Sequence, residues 1–299
     1  MNYRVSHTTR YDYDAPVPIC YNRAHLTPRN CPNQRCISSR LEVQPRTANE
    51  VFHHTDYFGN LCSYFTVQKE HSTLIITVIS EVEVQPLLTP EPTQTPPWEE
   101  IRDEVLLPRT LESNDASQFV FASSSIKPND EMAAFARPSF PAGQPVLLGA
   151  IDLMQRIYAE FAYDPTATTL ATPLEEVLKQ RRGVCQDFAQ LQIACLRSLG
   201  IPARYVSGYI VPTSSTGALP MLGAQASHAW LSVYTGNFGW VDLDPTNNLI
   251  ASDEHITLAW GRDYDEVCPI RGVMLGGGNQ YLSVGVSVER INGRGALAS

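Results

Sequence analysis

The chain has no long apolar run, no Cys-x-x-Cys pair and no excess of basic charge, and each absence removes a class of protein. Its longest apolar stretch, Leu74-Ile-Ile-Thr-Val-Ile79, is far shorter than the roughly 20 residues a membrane-spanning helix needs, so no segment is expected to cross a bilayer. The N-terminus, Met1-Asn-Tyr-Arg-Val-Ser-His7, carries no basic region followed by an apolar one, which makes the cytoplasm the expected compartment. Thirty-one acidic against 22 basic residues leave a net charge of -9, and no basic stripe is interleaved with aromatics. Nucleic acid is therefore not an expected partner. The cysteines number 7, an odd count at irregular spacing, which suits reduced thiols rather than a disulfide framework.

What is present is enough apolar material, 43% of 299 residues, to build cores for two domains of ordinary size. Tyr3, Val5, His7, Thr9, Tyr11 and Tyr13 share one face at period two, as a half-buried strand places them. Tyr57-Phe-Gly59-Asn60 separates two further strand-like runs, and Gly-Asn suits the positive φ angles of a tight hairpin. Leu74, Ile76, Val78, Val82 and Val84 form another apolar face. Residues 1–85 thus read as an antiparallel β-domain. Pro86, Pro90, Pro92, Pro96 and Pro97 remove backbone donors from the next stretch, so residues 86–110 read as a linker. Residues 111–299 are left as a catalytic domain that includes the C-terminal strands.

Within that region, helical periodicity runs through Ile151, Met154, Ile157, Tyr158 and Phe161 and stops at Asp164-Pro165. Thr172-Pro173-Leu-Glu-Glu176 has a capping hydroxyl, proline at the first helical position and acids in the first turn, predicting a short helix to about Gln180. Arg181-Arg182-Gly183 breaks it. A longer helix is predicted from about Val184 to Leu199, with Phe188, Leu191, Cys195, Leu196 and Leu199 on its apolar stripe and Gly200 as its stop. Strands are predicted over residues 204–210, 229–234 and 240–243, so the fold class is α+β.

Cys185 falls in the first turn of the longer helix. The positive end of the helix dipole favours a thiolate, and the unbonded amides there can hold an oxygen anion formed when a carbonyl is attacked. Downstream come Ser227-His228-Ala-Trp230 and Trp240-Val-Asp242-Leu-Asp244-Pro-Thr246. His228 and Asp244 are equidistant from Gly236. A hairpin centred there sets them directly opposite each other, about 4.5 to 5.5 Å apart at Cβ. The same register pairs Ala229 with Leu243 and Leu231 with Val241, and leaves His228, Trp230, Trp240, Asp242 and Asp244 on the other face. Asp242 is the rival acid; Asp244 is preferred because Pro245 holds it extended at the strand end and because the hairpin register puts it opposite His228. The two tryptophans either wall the site or fill the core. A thiol, an imidazole and a carboxylate in this order are the parts of a nucleophilic cysteine site.

At these residues the chain resembles the transglutaminase-like superfamily, in particular its bacterial branch of transglutaminase-like enzymes and candidate cysteine proteases. The motifs that carry the resemblance are Gly183-Val-Cys185-Gln-Asp187-Phe-Ala, Gly200-Ile-Pro-Ala-Arg204-Tyr-Val-Ser-Gly208-Tyr, His228-Ala-Trp230 and Leu243-Asp244-Pro-Thr246. Tyr57-Phe-Gly59-Asn60 looks like part of the β-domain that precedes the core in that branch, and residues 255–272 look like its post-catalytic segment. The resemblance implies a papain-like core of helices on an antiparallel sheet, with nucleophile Cys185, general base His228 and orienting Asp244. It implies no cofactor and no metal. The partners it implies are a protein or peptide amide and, where water does not resolve the thioester, an amine acceptor.

Other signals weigh less. Cys31-Pro-Asn-Gln-Arg-Cys36, with Cys20 and His25 nearby, lacks a second close cysteine pair or a His-x-x-x-His, so a zinc site is not expected there. Gly276-Gly277-Gly278 lacks the lysine of a phosphate loop. His53 and His54 point to opposite faces of a strand. Arg262, Asp263 and Tyr264 suit a buried cluster bracing the site. A thiol-redox role lacks a resolving partner, since Cys195 lies on the order of 15 Å along the helix from Cys185. The sequence thus predicts a thiol acyl-transfer enzyme; the alternative is a non-catalytic scaffold of the same fold that binds protein.

Overall fold

The computed structural model describes residues 1–212, 221–223 and 226–291. Six strands open the chain: β1 (Asn2–Val17), β2 (Ile19–Ala24), β3 (Gln34–Gln44), β4 (Phe52–Thr55), β5 (Leu61–Val67) and β6 (His71–Val84). The period-two pattern explains their packing. Tyr3, Val5, His7 and Thr9 are buried on the face of β1 shared with Leu74, Ile76, Val78, Val82 and Val84 of β6. At the β4–β5 turn the positive φ falls on Gly59 alone, at 79°. Asn60 contributes its side chain instead. Its Nδ2 donates to Asp56 Oδ2 at 2.9 Å and to the Trp260 carbonyl at 2.8 Å, and its Oδ1 accepts from Trp260 N at 3.0 Å.

Helices and short strands follow: α1 (Trp98–Leu106), α2 (Leu111–Ser117), α3 (Asp130–Ala136), α4 (Val146–Glu160), β7 (Ala162–Tyr163), α5 (Leu174–Gln180), β8 (Arg182–Gly183) and α6 (Cys185–Ser198). Next are β9 (Ala203–Ile210), β10 (His228–Tyr234), β11 (Trp240–Asp244), β12 (Leu249–Ile250), β13 (His255–Gly261), α7 (Tyr264–Val267), β14 (Ile270–Leu275) and β15 (Gln280–Arg290). Strands β12-β11-β10-β9-β13 form an antiparallel sheet, against which α6 packs. The architecture is α+β, with antiparallel sheets at the N-terminal end and a helix-on-sheet core.

Two segments differ from the sequence reading. The C-terminal strands, expected with residues 111–299, instead complete the N-terminal sheets: β15 pairs with β1 from Tyr3↔Arg290 to Tyr13↔Gln280, and β14 pairs with β2. Both supply partners for backbone groups along strand edges, a long-range pairing that local pattern does not reveal. The proline stretch is also largely structured. Pro96 O accepts from Val146 N at 2.9 Å, and α1 buries Ile101 and Val105.

The helix that begins at Cys185 is anchored on every side. Residues Asp187 to Arg197 of α6 are all buried, where an apolar stripe alone had been expected, because α3, α4, α5, β9 and β10 surround it. Among its interior polar groups, Gln192 Nε2 donates to Ala150 O while Gln192 Oε1 finds no partner, and Arg197 donates to the carbonyls of Ala203, Arg262 and Phe121. At its end, Gly200 N donates to Arg197 O and Ile201 N to Leu196 O. For α5 the cap is Pro173, with Leu174 first in the helix; the Thr172 hydroxyl accepts from Thr169 N instead of capping.

Candidate active site

Cys185 is the first residue of α6, following Val184, whose extended conformation begins the helix. Asp187 fixes this start: its Oδ2 accepts from Val184 N at 2.9 Å and from Thr168 Oγ1 at 2.6 Å. Burial raises the Asp187 pKa, with these hydrogen bonds opposing the shift. The amides of Cys185 and Gln186, lying in the first turn, have no partner within the helix. Cys185 itself is partly exposed, whereas Cys195, on the same helix, is fully buried.

His228 opens β10 and Asp244 closes β11. Both are buried, with His228 Nε2 2.8 Å from Asp244 Oδ2. The contact forms in a register other than the one predicted. Leu231 pairs with Leu243, Ser232 with Asp242, Val233 with Val241 and Tyr234 with Trp240, which centres the hairpin on Asn237 rather than Gly236. The reason is the turn, which contains a 3₁₀ segment at Gly236–Phe238 closed by a Thr235 N to Gly239 O hydrogen bond. The shift is two residues, so every side chain keeps its face. His228 reaches Asp244 as a diagonal neighbour.

The rival acid is otherwise engaged. Asp242 Oδ2 accepts from Trp230 Nε1 at 3.0 Å, and its Oδ1 accepts from Ser232 Oγ. Trp230 is buried with its ring 6.1 Å from that of His228 and 5.1 Å from that of His255. Trp240 packs away from the site, against Phe119 and Tyr234.

Burial by itself disfavours the His228 cation, but Asp244 and the neighbouring Cys185 outweigh it and hold the imidazolium pKa up to about 10. Burial likewise opposes ionisation of Asp244, yet His228 and His255 hold its carboxyl far below the usual carboxylate range. With Nε2 committed to Asp244, the buried Nδ1, which has no other hydrogen-bond partner, is the nitrogen left for the thiol. Gly223 approaches that edge, and a Cβ there would lie 2.6 Å from Nδ1. No larger residue fits without displacing the ring.

Two members of the site went unassigned in the sequence. His255 Nε2 lies 3.2 Å from Asp244 Oδ2, and Asn247 Nδ2 donates to the same oxygen at 2.8 Å. Asn247 also accepts from Leu222 N, tying residues 221–223 to the site. The turn around Asp244 was partly legible, since Asp-Pro-Thr-Asn suits a side chain that accepts from Thr246 N and Asn247 N. Nothing local marks His255, which reaches Asp244 across the sheet. His228, Asp244 and His255 have ligand atoms within 4.8 Å of one another. The expected bracing cluster differs in detail. Arg262 pairs with Glu266, Asp263 caps α7 and accepts from Ser125 N, and Tyr264 O–H meets Cys268.

Residues 3–83 match the bacterial transglutaminase-like N-terminal region, and residues 135–245 match the transglutaminase-like superfamily. An uncharacterized protein of Mycobacterium tuberculosis (strain H37Rv) is 40% identical over 97% of this chain and 93% of its own length. One from Mycobacterium leprae is 33% identical over 96% and 98%. The protein-glutamine gamma-glutamyltransferase of Pseudomonas aeruginosa is 30% identical over 31% of this chain and 15% of its own. The crystal structure of a candidate cysteine protease from Cytophaga hutchinsonii shares the fold, with a TM-score of 0.76 at 20% identity over 99% of this chain and 92% of the other. The chain belongs to the transglutaminase-like superfamily.

Proposed function

We propose that the protein is a thiol acyl-transfer enzyme acting on protein or peptide amides, with Cys185 as nucleophile, His228 as proton carrier and Asp244 as the group that orients it. The carrying observation is the buried 2.8 Å His228–Asp244 pair with its free Nδ1 beside the helix-start thiol. In this reading the Cys185 sulfur attacks the amide carbonyl, and the oxygen anion that forms lies against the helix-start amides. The C–N bond then breaks as the His228 imidazolium gives its proton to the leaving nitrogen. An acyl thioester and a neutral imidazole remain. Water or an amine next attacks the thioester, His228 takes the proton from the attacking group, and the thiolate departs. Asp244 keeps its charge throughout and holds the ring with Nδ1 toward sulfur.

Hydrolysis and transamidation share every step but the last. The names of the Cytophaga and Pseudomonas proteins illustrate the two outcomes, one a candidate protease and the other a glutamyltransferase. Seven free cysteines suit work in a reducing compartment. The test is intact-mass spectrometry of the protein mixed with a peptide-amide library, with and without added primary amine. An acyl adduct on Cys185 that is absent from Cys185→Ala supports the reading. Adducts on other thiols only, or equal adducts in the variant, overturn it.

A further inference from the structure

A second cysteine, histidine and aspartate meet in the N-terminal β-region. His25 follows β2, while Asp56 and Cys62 flank the β4–β5 turn. His25 and Cys62 are each 1% exposed. Cys62 Sγ lies 2.9 Å from His25 Nε2, and Asp56 Oδ2 lies 3.6 Å from the same nitrogen. The candidate zinc set of the sequence does not form. Cys20 turns to His71 and Asn22, Cys31 to Asn33 and Cys36 to Ser38, and only His25 enters the new cluster.

The geometry does not suit proton relay. A relay needs the acid and the thiol on opposite nitrogens of the ring, but here both face Nε2. Nδ1 is taken by the Cys268 carbonyl at 3.2 Å, which can only accept, so Nδ1 carries a proton and, in the neutral ring that ligates a metal, Nε2 is the nitrogen with the lone pair. That lone pair faces a carboxylate oxygen and a sulfur, three donor atoms within 4.8 Å of one another. Among the described residues, no cation lies between them in the form of a lysine or arginine nitrogen bonded to Asp56.

We propose that His25 Nε2, Asp56 Oδ2 and Cys62 Sγ form a structural metal site of zinc type. His25 is held as a metal-binding histidine is, with the remote N–H donating to a backbone carbonyl and fixing the tautomer. The Asp56 carboxylate is likewise oriented, its Oδ1 accepting from Phe58 N and Asn60 N and its Oδ2 from Asn60 Nδ2. One thiolate, one imidazole and one carboxylate favour Zn²⁺ over the oxygen-seeking Mg²⁺ and Ca²⁺. Tetrahedral zinc at ordinary bond lengths sets S···N near ~3.6 Å and N···O near ~3.3 Å. From 2.9 Å and 3.6 Å, the thiol therefore moves outward by about 0.7 Å and the carboxylate inward by about 0.3 Å. Asp56, 19% exposed at its side chain, gives the ion and a fourth, water ligand their route. Binding displaces the Cys62 proton to solvent.

The consequence is mechanical. The ion would join β2 to a turn whose Asn60 holds the Trp260 backbone on the catalytic sheet, and His25 itself holds Cys268 beyond that sheet. The experiment strips the full chain with a chelator and titrates Co²⁺, then Zn²⁺ against a chromophoric competitor. One Co²⁺ per chain with a thiolate-to-cobalt charge-transfer band is expected, displaced by Zn²⁺ with a rise in thermal midpoint. Cys62→Ser should lose the band. Asp56→Asn, which keeps the thiol and both backbone-facing roles of the side chain, should keep the band and weaken Zn²⁺ at least tenfold. Absence of the band in the parent protein overturns the proposal. So does a band that survives Cys62→Ser and disappears in Cys185→Ser, which would put the ion at the other thiol.

Discussion

The two clusters of cysteine, histidine and aspartate contain the same side chains and differ in which ring nitrogen each partner faces. At His228 the carboxylate takes Nε2 and leaves Nδ1 for the thiol, so charge and proton can pass through the ring. At His25 a backbone carbonyl takes Nδ1, and thiol and carboxylate converge on Nε2, where a relay is impossible and chelation is natural. The thiols differ as well. Cys185 starts a helix and is partly exposed, while burial pushes the Cys62 thiol up to about 11. Residue type alone therefore does not define a catalytic triad; the direction of approach to the imidazole does.

The largest expected effect breaks the contrast outright. Cys185→Ser should lower turnover of any amide substrate by on the order of 10⁴-fold or more, read as initial rate under saturating substrate. Next, Asp244→Asn should lower turnover roughly 10²- to 10⁴-fold, since the amide supplies no charge and permits the wrong tautomer. Asp242→Asn should instead act on the fold, costing about 1–3 kcal/mol through Trp230 and Ser232, with a much smaller loss of rate. Thermal midpoint and turnover of both variants decide it, and a benign Asp244→Asn beside a damaging Asp242→Asn reverses the assignment.

Alkylation reads the same contrast without a substrate. A thiol near 11 is only about 10⁻³ thiolate at pH 8, so peptide mapping after limited iodoacetamide treatment should find Cys185 modified well before Cys62 or Cys195, the latter pushed up to about 12 by burial. Equal labelling of Cys62 would remove the distinction.

The charge on His228 also has a stability signature. Its folded pKa, about 10, lies above the unfolded value near 6.5. Between these pH values the folded state holds a proton that the unfolded state has lost, so the stabilisation is fully present below about pH 6.5 and disappears as pH rises through 10. The thermal-midpoint advantage of the parent protein over Asp244→Asn should shrink across that interval. A constant advantage would mean the pair carries no proton-linked stability. The smallest effect concerns the backbone. Protease should cut first near Leu88, which is 99% exposed between β6 and the helices, yet the fragments should co-elute, because β14 and β15 are bonded into the N-terminal sheets. Separation of the fragments would mean the two clusters belong to independent bodies.

The helix start at Cys185 and the strands carrying His228 and Asp244 were legible because each depends on neighbours in the chain. The hairpin register was not, since the 3₁₀ turn at Gly236–Phe238 moved its centre by one residue and its pairing by two. The contact survived that error because a strand repeats its faces every two residues. His255 was invisible for a different reason: its place beside Asp244 depends on β13 pairing with β9, far from either residue's local pattern. The burial of α6 on all sides was equally hidden, since no single helix sequence records how many neighbours will cover it.

By itself, the sequence determined what short-range physics can determine: the alternation of β1 and β6, the stops of the helices, and a thiol, imidazole and acid on elements suited to present them. The tertiary structure alone decided which nitrogen of each histidine meets which partner, that the last strands complete the first sheets, and that His25 meets Cys62 and Asp56. The physical reason is that side-chain directions and strand edges are satisfied by whatever the completed fold brings near, and those partners lie up to 289 positions away in the chain, as Asn2 and Ile291 do.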